Sequence, residues 1–408
     1  MKKIFFAAAT LLAAGFVSCT DSDNEFKGVS EQEKAPILFS VGSSNVSVTT
    51  RGTGAVGDTL NAENNQNFWR GEKLNVYMFS KDADTLEIAQ DAYGDIFNNA
   101  VVETPKSTEA TATGYASYGA AKYYPMAGNY DFFAYHADDA AAGEPAPNAD
   151  ATQYILPVVL NGTQDLMISK ADMSEAQRTE FLKYDATGER YYSAYSARRK
   201  IGFDGQPNED GIQPHFKFQH LLSRLVFFVK PSSEFVSANN VVEEEYYGVT
   251  IDSIKIVDTY TNASFVVAWK GEVESHLTDL AAIDTVALMQ KVEGEIEATN
   301  LENLVPVRPM WNAEAAEGLT TRVGESMMLV PQSQYKLQIF MSQIPGKGAA
   351  KFINIHEQVL ATPSGAAFEA GKQYNVTFTV YGLEEIKLEL ELAPWEYGED
   401  IPVDNDKN

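Results

Sequence analysis

The sequence predicts an all-β protein built of antiparallel β-sandwiches. Three observations predict it. Apolar and polar residues alternate in segment after segment, which turns one face of each strand to a core and the other to water. Helical periodicity is sparse: Ser174 to Tyr184 (SEAQRTEFLKY) is the one short stretch that reads as a helix, entered near Asp172 or Ser174. The length, 408 residues, is two or three times that of a usual single domain, so two domains in tandem are expected.

The strands follow in order. Ile37, Phe39 and Val41 alternate in PILFSVG, and the segment from Ile37 to Val48 reads as an edge strand. Leu74, Val76 and Met78 alternate in KLNVYMFS. Tyr130 to Tyr135 (YDFFAY) suits a buried strand, entered through the turn Met126-Ala127-Gly128-Asn129. Ile254 and Ile256 alternate with Ser253 and Lys255, and Tyr335, Leu337 and Ile339 with Lys336 and Gln338. Tyr374, Val376, Phe378 and Val380 form one face of a strand, and Ile386, Leu388, Leu390 and Leu392 one face of the next, with Gly382 as a bend between them. Such half-polar strands are the mark of antiparallel sheets. No heptads are sustained and no solenoid or propeller period is visible.

Punctuation divides the chain. Residues 139 to 153 are small, polar and Pro-containing, a surface loop. Residues 202 to 214 (GFDGQPNEDGIQP) precede the strongest apolar segment, His215 to Val229, and mark the boundary. The expected organisation is a signal segment at 1–18, an acidic tether at 19–34, a β-sandwich domain at 35–213 and a second at 214–408, ending in a polar tail.

Charge and composition exclude several functions. Lys and Arg number 31 against 57 Asp and Glu, a net charge of −26. That sign repels phosphate backbones, so neither nucleic acid nor an anionic lipid surface is expected as a partner. One cysteine allows no internal disulfide and no Cys-based zinc site.

That cysteine stands in a telling place. Lys2 and Lys3 precede an apolar run of 14 residues, Ile4 to Val17. The run is too short to span a bilayer, which takes about 20 residues, and fits a secretory signal. It ends at Phe16-Val17-Ser18-Cys19, which resembles a bacterial lipoprotein signal cut before a lipidated Cys19, although Phe16 stands where Leu is usual. The alternative is a plain signal peptide that happens to contain a Cys. Thr20 to Glu25 (TDSDNE) is a flexible acidic tether and resembles an export signal to the outer leaflet.

Enzyme motifs fail on spacing. His356-Glu357 begins a metalloprotease-like string, but Leu360 occupies the place of the second His. Gly365 to Gln373 mimics a phosphate loop with five residues between the glycines instead of four, and Gln373 replaces the Ser or Thr. Asp204 to Gly211 has Glu209 where a calcium loop needs Gly. No catalysis, metal or cofactor is expected. Arg224, inside LLSRLVFFV, reads as a structural Arg paired across strands or at an edge, and His220 as a hydrogen-bonded strand histidine. Trp69, Trp269, Trp311 and Trp395 read as core or interface packing, with a sugar-binding surface as the alternative.

Taken in order, several segments resemble the fimbrillin family of Bacteroidales-type surface lipoproteins, the subunits of protease-assembled pili. They are the start at Cys19, Thr50-Arg51-Gly52, Phe68-Trp69 with Gly71 to Tyr77, and Tyr123-Tyr124-Pro125 with Tyr130 to Tyr135. Asp165-Leu166-Met167, Phe216 to Leu225 (FKFQHLLSRL), Ala370 to Tyr374 and Ala393-Pro394-Trp395 complete the set. The resemblance implies two transthyretin-like sandwich domains. It also implies cleavage between Arg51 and Gly52 that removes the first strand and opens a groove for a strand from another subunit. The alternative for Arg51 is a surface Arg that is never cut. The implied partners are other pilus subunits, the outer membrane through a lipid on Cys19, and a host or bacterial surface ligand. The short apolar content after Trp395 favours a tip, accessory or anchor role over a stalk. A stand-alone surface lipoprotein that binds glycan or a host ligand is the rival expectation.

Overall fold

The structure is a computed structural model that describes residues 36–41, 71–104, 115–171, 195, 213–231, 249–292, 295–298, 310–312, 317–343, 350–381, 383 and 386–393. These residues form 24 strands and no helix.

Four sheets carry the architecture. In the first, β1 (Phe39–Val41) lies between β6 (Tyr115–Ala116) and β11 (His215–Phe216). The second runs in the order β12 (Gln219–His220), β10 (Met167–Lys170), β7 (Tyr130–His136), β2 (Lys73–Ser80), β5 (Ala100–Glu103). The third runs β22 (Phe352–Leu360), β21 (Tyr335–Gln343), β14 (Val249–Trp269), β9 (Gln153–Val159), β8 (Ala146–Pro147), with β15 (Leu277–Ala287) also paired to β14. The fourth runs β20 (Thr321–Leu329), β13 (Ser223–Pro231), β23 (Gln373–Val380), β24 (Ile386–Ala393). Three two-stranded ribbons remain: β3–β4 (Gln90–Asp91, Gly94–Asp95), β16–β17 (Met289–Val292, Glu295–Ala298) and β18–β19 (Met310–Asn312, Glu317–Leu319).

The period-two pattern explains how the sheets pack. Along β2, Leu74, Val76 and Met78 point into one core, while Tyr77 and Phe79 point into another. The second sheet is thus covered on both faces, which is why every residue of β7 is buried. On one side it meets the first sheet through Phe39, Phe132 and Phe216. On the other it meets β9 and the far half of β14 through Leu156, Val158, Phe265 and Val267. A third core joins the near half of β14 and β21 to β13 and β23, through Ile254, Ile339, Leu225, Phe227 and Phe378.

The described residues from 36 onward fall in one compact unit, and strand pairing crosses residue 214. β14 pairs with β21 along Val249–Val257 and with β9 along Asn262–Trp269. The segment His215 to Val229, continuous in apolar character, breaks into β11, β12 and β13, which belong to three different sheets.

Two expectations need correction. The first strand is not an edge: β1 is flanked on both sides. Its neighbours β6 and β11 have two residues each, too few to show alternation in the sequence. The sheets are also not wholly antiparallel, because β1–β11 and β13–β23 are parallel pairs. A parallel pair needs a long crossover, and between β13 and β23 the chain passes through β14, β15, β21 and β22 of the third sheet.

Candidate functional site

The best-defined feature is the slot that holds β1. Phe39 and Ser40 pair antiparallel with Ala116 and Tyr115, while Ser40 and Val41 pair parallel with His215 and Phe216. The alternation of Ile37 and Phe39 sends both side chains into the core. The Phe39 ring lies 5.0 Å from Phe97, 5.4 Å from Phe216 and 5.7 Å from both Tyr118 and Phe132. Burying a side chain of this size stabilises by about 1.5–3 kcal/mol.

The backbone before β1 is gripped as well. The Ile37 N–H donates to the Lys122 carbonyl at 2.9 Å, and the Tyr118 hydroxyl donates to the Ile37 carbonyl. The Leu38 N–H donates to Gln213 Oε1 at 2.8 Å, and Pro36 bridges to Tyr123. The segment 36–41 is therefore bound as a peptide is bound in a groove, by backbone on two sides and by alternate apolar anchors. Without it, β6 and β11 would each present an open edge beside an apolar slot.

The strand that follows β11 is pinned by a buried histidine–carboxylate contact. His220 Nδ1 in β12 lies 2.8 Å from Asp165 Oδ2 and 3.0 Å from Oδ1. Leu221 N–H also donates to the Leu166 carbonyl at 2.9 Å, so the chain directly after β11 is tied to the start of β10. Nearby, burial pushes the Asp138 carboxyl up to about 6; His136 opposes the shift, while Asp139 and Asp165 add to it.

β24 presents the opposite situation. Among the described residues it pairs only with β23. Ile386, Leu388 and Leu390 lean half-buried on the third core, while Lys387, Glu389 and Glu391 face solvent and Leu392 is exposed. Lys230 and Lys387 each reach Glu389 at 3.4 Å.

A second exposed feature sits on the β3–β4 ribbon. Its apex carries Tyr93, 94% exposed. The turn is braced, since the Tyr93 N–H donates to Asp91 Oδ1 at 2.7 Å and Gln90 Nε2 donates to Asp95 Oδ1 at 2.9 Å. A rigid turn that presents an unpacked ring is suited to contact with a ligand.

The residues expected from sequence fare unequally. Cys19, Arg51 and Gly52 lie outside the described residues, as do Trp69, Trp395, Gly382, residues 174–184 and the tail. His220 is hydrogen-bonded as expected. Arg224 is buried in β13, an inner strand rather than an edge. Trp269 packs as expected, its ring 4.8 Å from Phe133 and 4.5 Å from His276. Trp311 lies in β18. His356 sits in β22 with Nε2 2.9 Å from the Leu383 carbonyl. Among the described residues, no group of three His, Cys, Asp or Glu side chains is arranged to hold a metal. Phe97, Tyr118 and Tyr93 went unnoticed in the sequence. Phe97 and Tyr118 sit outside any alternating run, so the signal in this cluster comes from Phe39, Phe132 and Phe216.

Comparison with known proteins places these features in context. The chain matches a family described as fimbrillin-like over residues 59–395. No curated protein sequence matches it. Among solved structures, a proposed cell adhesion protein from Bacteroides uniformis is 15% identical, with a TM-score of 0.45, covering 88% of this chain and 98% of that one. A fimbrilin from Porphyromonas gingivalis is 9% identical, with a TM-score of 0.42 and coverage of 89% and 98%. The fimbrial anchor protein Mfa2 of Porphyromonas gingivalis is 13% identical, with a TM-score of 0.30 and coverage of 88% and 98%.

Proposed function

The chain belongs to the fimbrillin-like family, and from that premise we propose that it is a subunit of a surface pilus that accepts a β-strand from another subunit. Cleavage after Arg51 releases β1, and a donated strand takes its place between β6 and β11. The observation that carries this reading is the manner in which residues 36–41 are held, by backbone on both sides and by Phe39 in an aromatic slot. Strand addition uses the same two elements, main-chain hydrogen bonds and pockets for alternate side chains.

The chain is exported, acylated on Cys19 and held at the outer membrane surface by its lipid until Arg51 is cut. Several acyl chains anchor stably, whereas one does so only marginally. A copy that stays uncut keeps its lipid and acts as an anchor. The polar tail after Trp395 favours a tip or accessory position over the stalk. Work of this kind needs no covalent chemistry by the protein itself. The braced, exposed Tyr93 supports a second reading, in which the protein binds a glycan or host ligand directly.

Replacing Arg51 with Ala tests the main reading. The wild-type chain is expected in filaments sheared from cells, and the Arg51→Ala chain is expected to remain with the cell envelope. Equal amounts of both in the filament fraction would overturn strand release.

A further inference from the structure

We infer that β22 is a self-pairing edge through which two copies of this chain join their third sheets. The inference is independent of β1 and of the pilus reading. Among the described residues, β22 pairs only with β21, in continuous register over all nine residues. Its outward face carries Ile353, Ile355 and Val359, 54%, 48% and 58% exposed, with Glu357 between the last two, and Phe352 at the strand start, on the other face, is 55% exposed. On β21, Phe340 lies opposite Ile355 and extends the same face.

Natural edge strands are protected by charges, Pro, bulges or shortness. β24 follows that rule with Lys387, Glu389 and Glu391. β22 breaks it, because it has no Pro, Lys or Arg and its one carboxylate, Glu357, accepts a hydrogen bond from Gln338 Nε2 at 3.0 Å. Eleven large apolar side chains are exposed among the described residues, and four of them fall on this one nine-residue edge, a concentration that calls for a cover.

The strand's own sequence argues for a second copy as that cover. The Ile355 N–H donates to Asn354 Oδ1 at 2.9 Å, the position of an N–H that points away from β21. Odd-numbered residues therefore turn their backbone groups to the free side, as alternation in an antiparallel ladder requires. A twofold axis at His356 then pairs odd with odd, setting Ile353 against Val359 and Ile355 against Glu357. The same axis sets Phe352 against Leu360 and Asn354 against Gln358. Apolar meets apolar and amide meets amide at three of the four kinds of pair. Charge points the same way. Two copies with a net charge of −26 each repel over most approaches, and least along a strand with a single carboxylate.

Sedimentation velocity of the full chain carrying Cys19→Ser, so that acyl chains play no part, tests the inference. Between about 1 and 200 µM, a range suited to a modest interface, the expected result is concentration-dependent dimerisation. Ile353→Lys and Val359→Lys, made separately, should each weaken it at least about tenfold with an unchanged melting temperature, because each sets a charge against an apolar partner. His356→Cys should give a disulfide-linked dimer under oxidation, because Cα atoms at a central non-hydrogen-bonded pair lie about 4.5 Å apart. A monomer across the range overturns the inference. So does a dimer that ignores both lysine substitutions, or one that His356→Cys fails to link. If one lysine variant loses its β-sheet circular dichroism, the other variant and the cross-link decide.

Discussion

β1 and β24 lie toward opposite ends of the described chain and are held in opposite ways. β1 has three residues, a neighbour on each side and a fully buried Phe39. β24 has eight residues, a single neighbour and a solvent face of Lys387, Glu389 and Glu391. The contrast separates two requirements of strand exchange. A strand that occupies a slot must be replaced when it leaves, since its departure exposes apolar side chains and two sheet edges at once. A strand on an open edge can be lengthened or lent without uncovering a core.

The difference can be broken by substitution, and Phe39→Ala should do most. Removing a buried Phe from a packed site costs about 3–5 kcal/mol, read by urea denaturation of the uncut chain. A cost below about 1 kcal/mol would mean that β1 is not an integral part of the core. His220→Ala should come next, at about 2–3 kcal/mol, because it removes the hydrogen-bonding partner of the buried Asp165 side chain. Replacing both partners with Leu should be less harmful than either single change, because no buried polar group is then left unpaired.

Asp138 sharpens the comparison through pH. Its carboxyl rises in the fold from 3.8 to about 6, so the folded state holds the proton more tightly than the unfolded state. Ionisation therefore costs stability, and the penalty grows as pH rises from about 4 to 6. Asp138→Asn should raise the melting temperature at pH 7.5 and lose that advantage at pH 4. Asn tolerates the left-handed backbone at this position, where φ is 47°. A gain independent of pH would contradict the assignment. The smallest effect belongs to β24: Leu392→Ala should change stability by less than about 0.5 kcal/mol, in keeping with its exposure.

Much of this was legible in the sequence because period-two alternation is a local signal. Leu74 to Met78, Tyr374 to Val380 and Ile386 to Leu392 lie in strands where alternation puts them, and Tyr130 to Tyr135 in the buried strand its aromatic run suits. The pairing of those strands is not local, which is why β1 reads as an edge in the sequence and lies in the middle of a sheet. The slot was legible only in part. Phe39 and Phe216 stand in recognisable segments, whereas Phe97 and Tyr118 reach the site from loops whose composition gives no period. Length misled at β14: alternation marks Ile254 and Ile256, yet the strand continues for 21 residues through Thr259, Thr261 and Asn262. Those polar residues sit where β14 passes from one core to the next.

Mass spectrometry of the N-terminus of this protein in sheared surface filaments asks most directly whether β1 leaves. The expected result is a chain that begins at Gly52 and lacks residues 36–41. Filament copies that begin at an acylated Cys19, with those residues still attached, would contradict it.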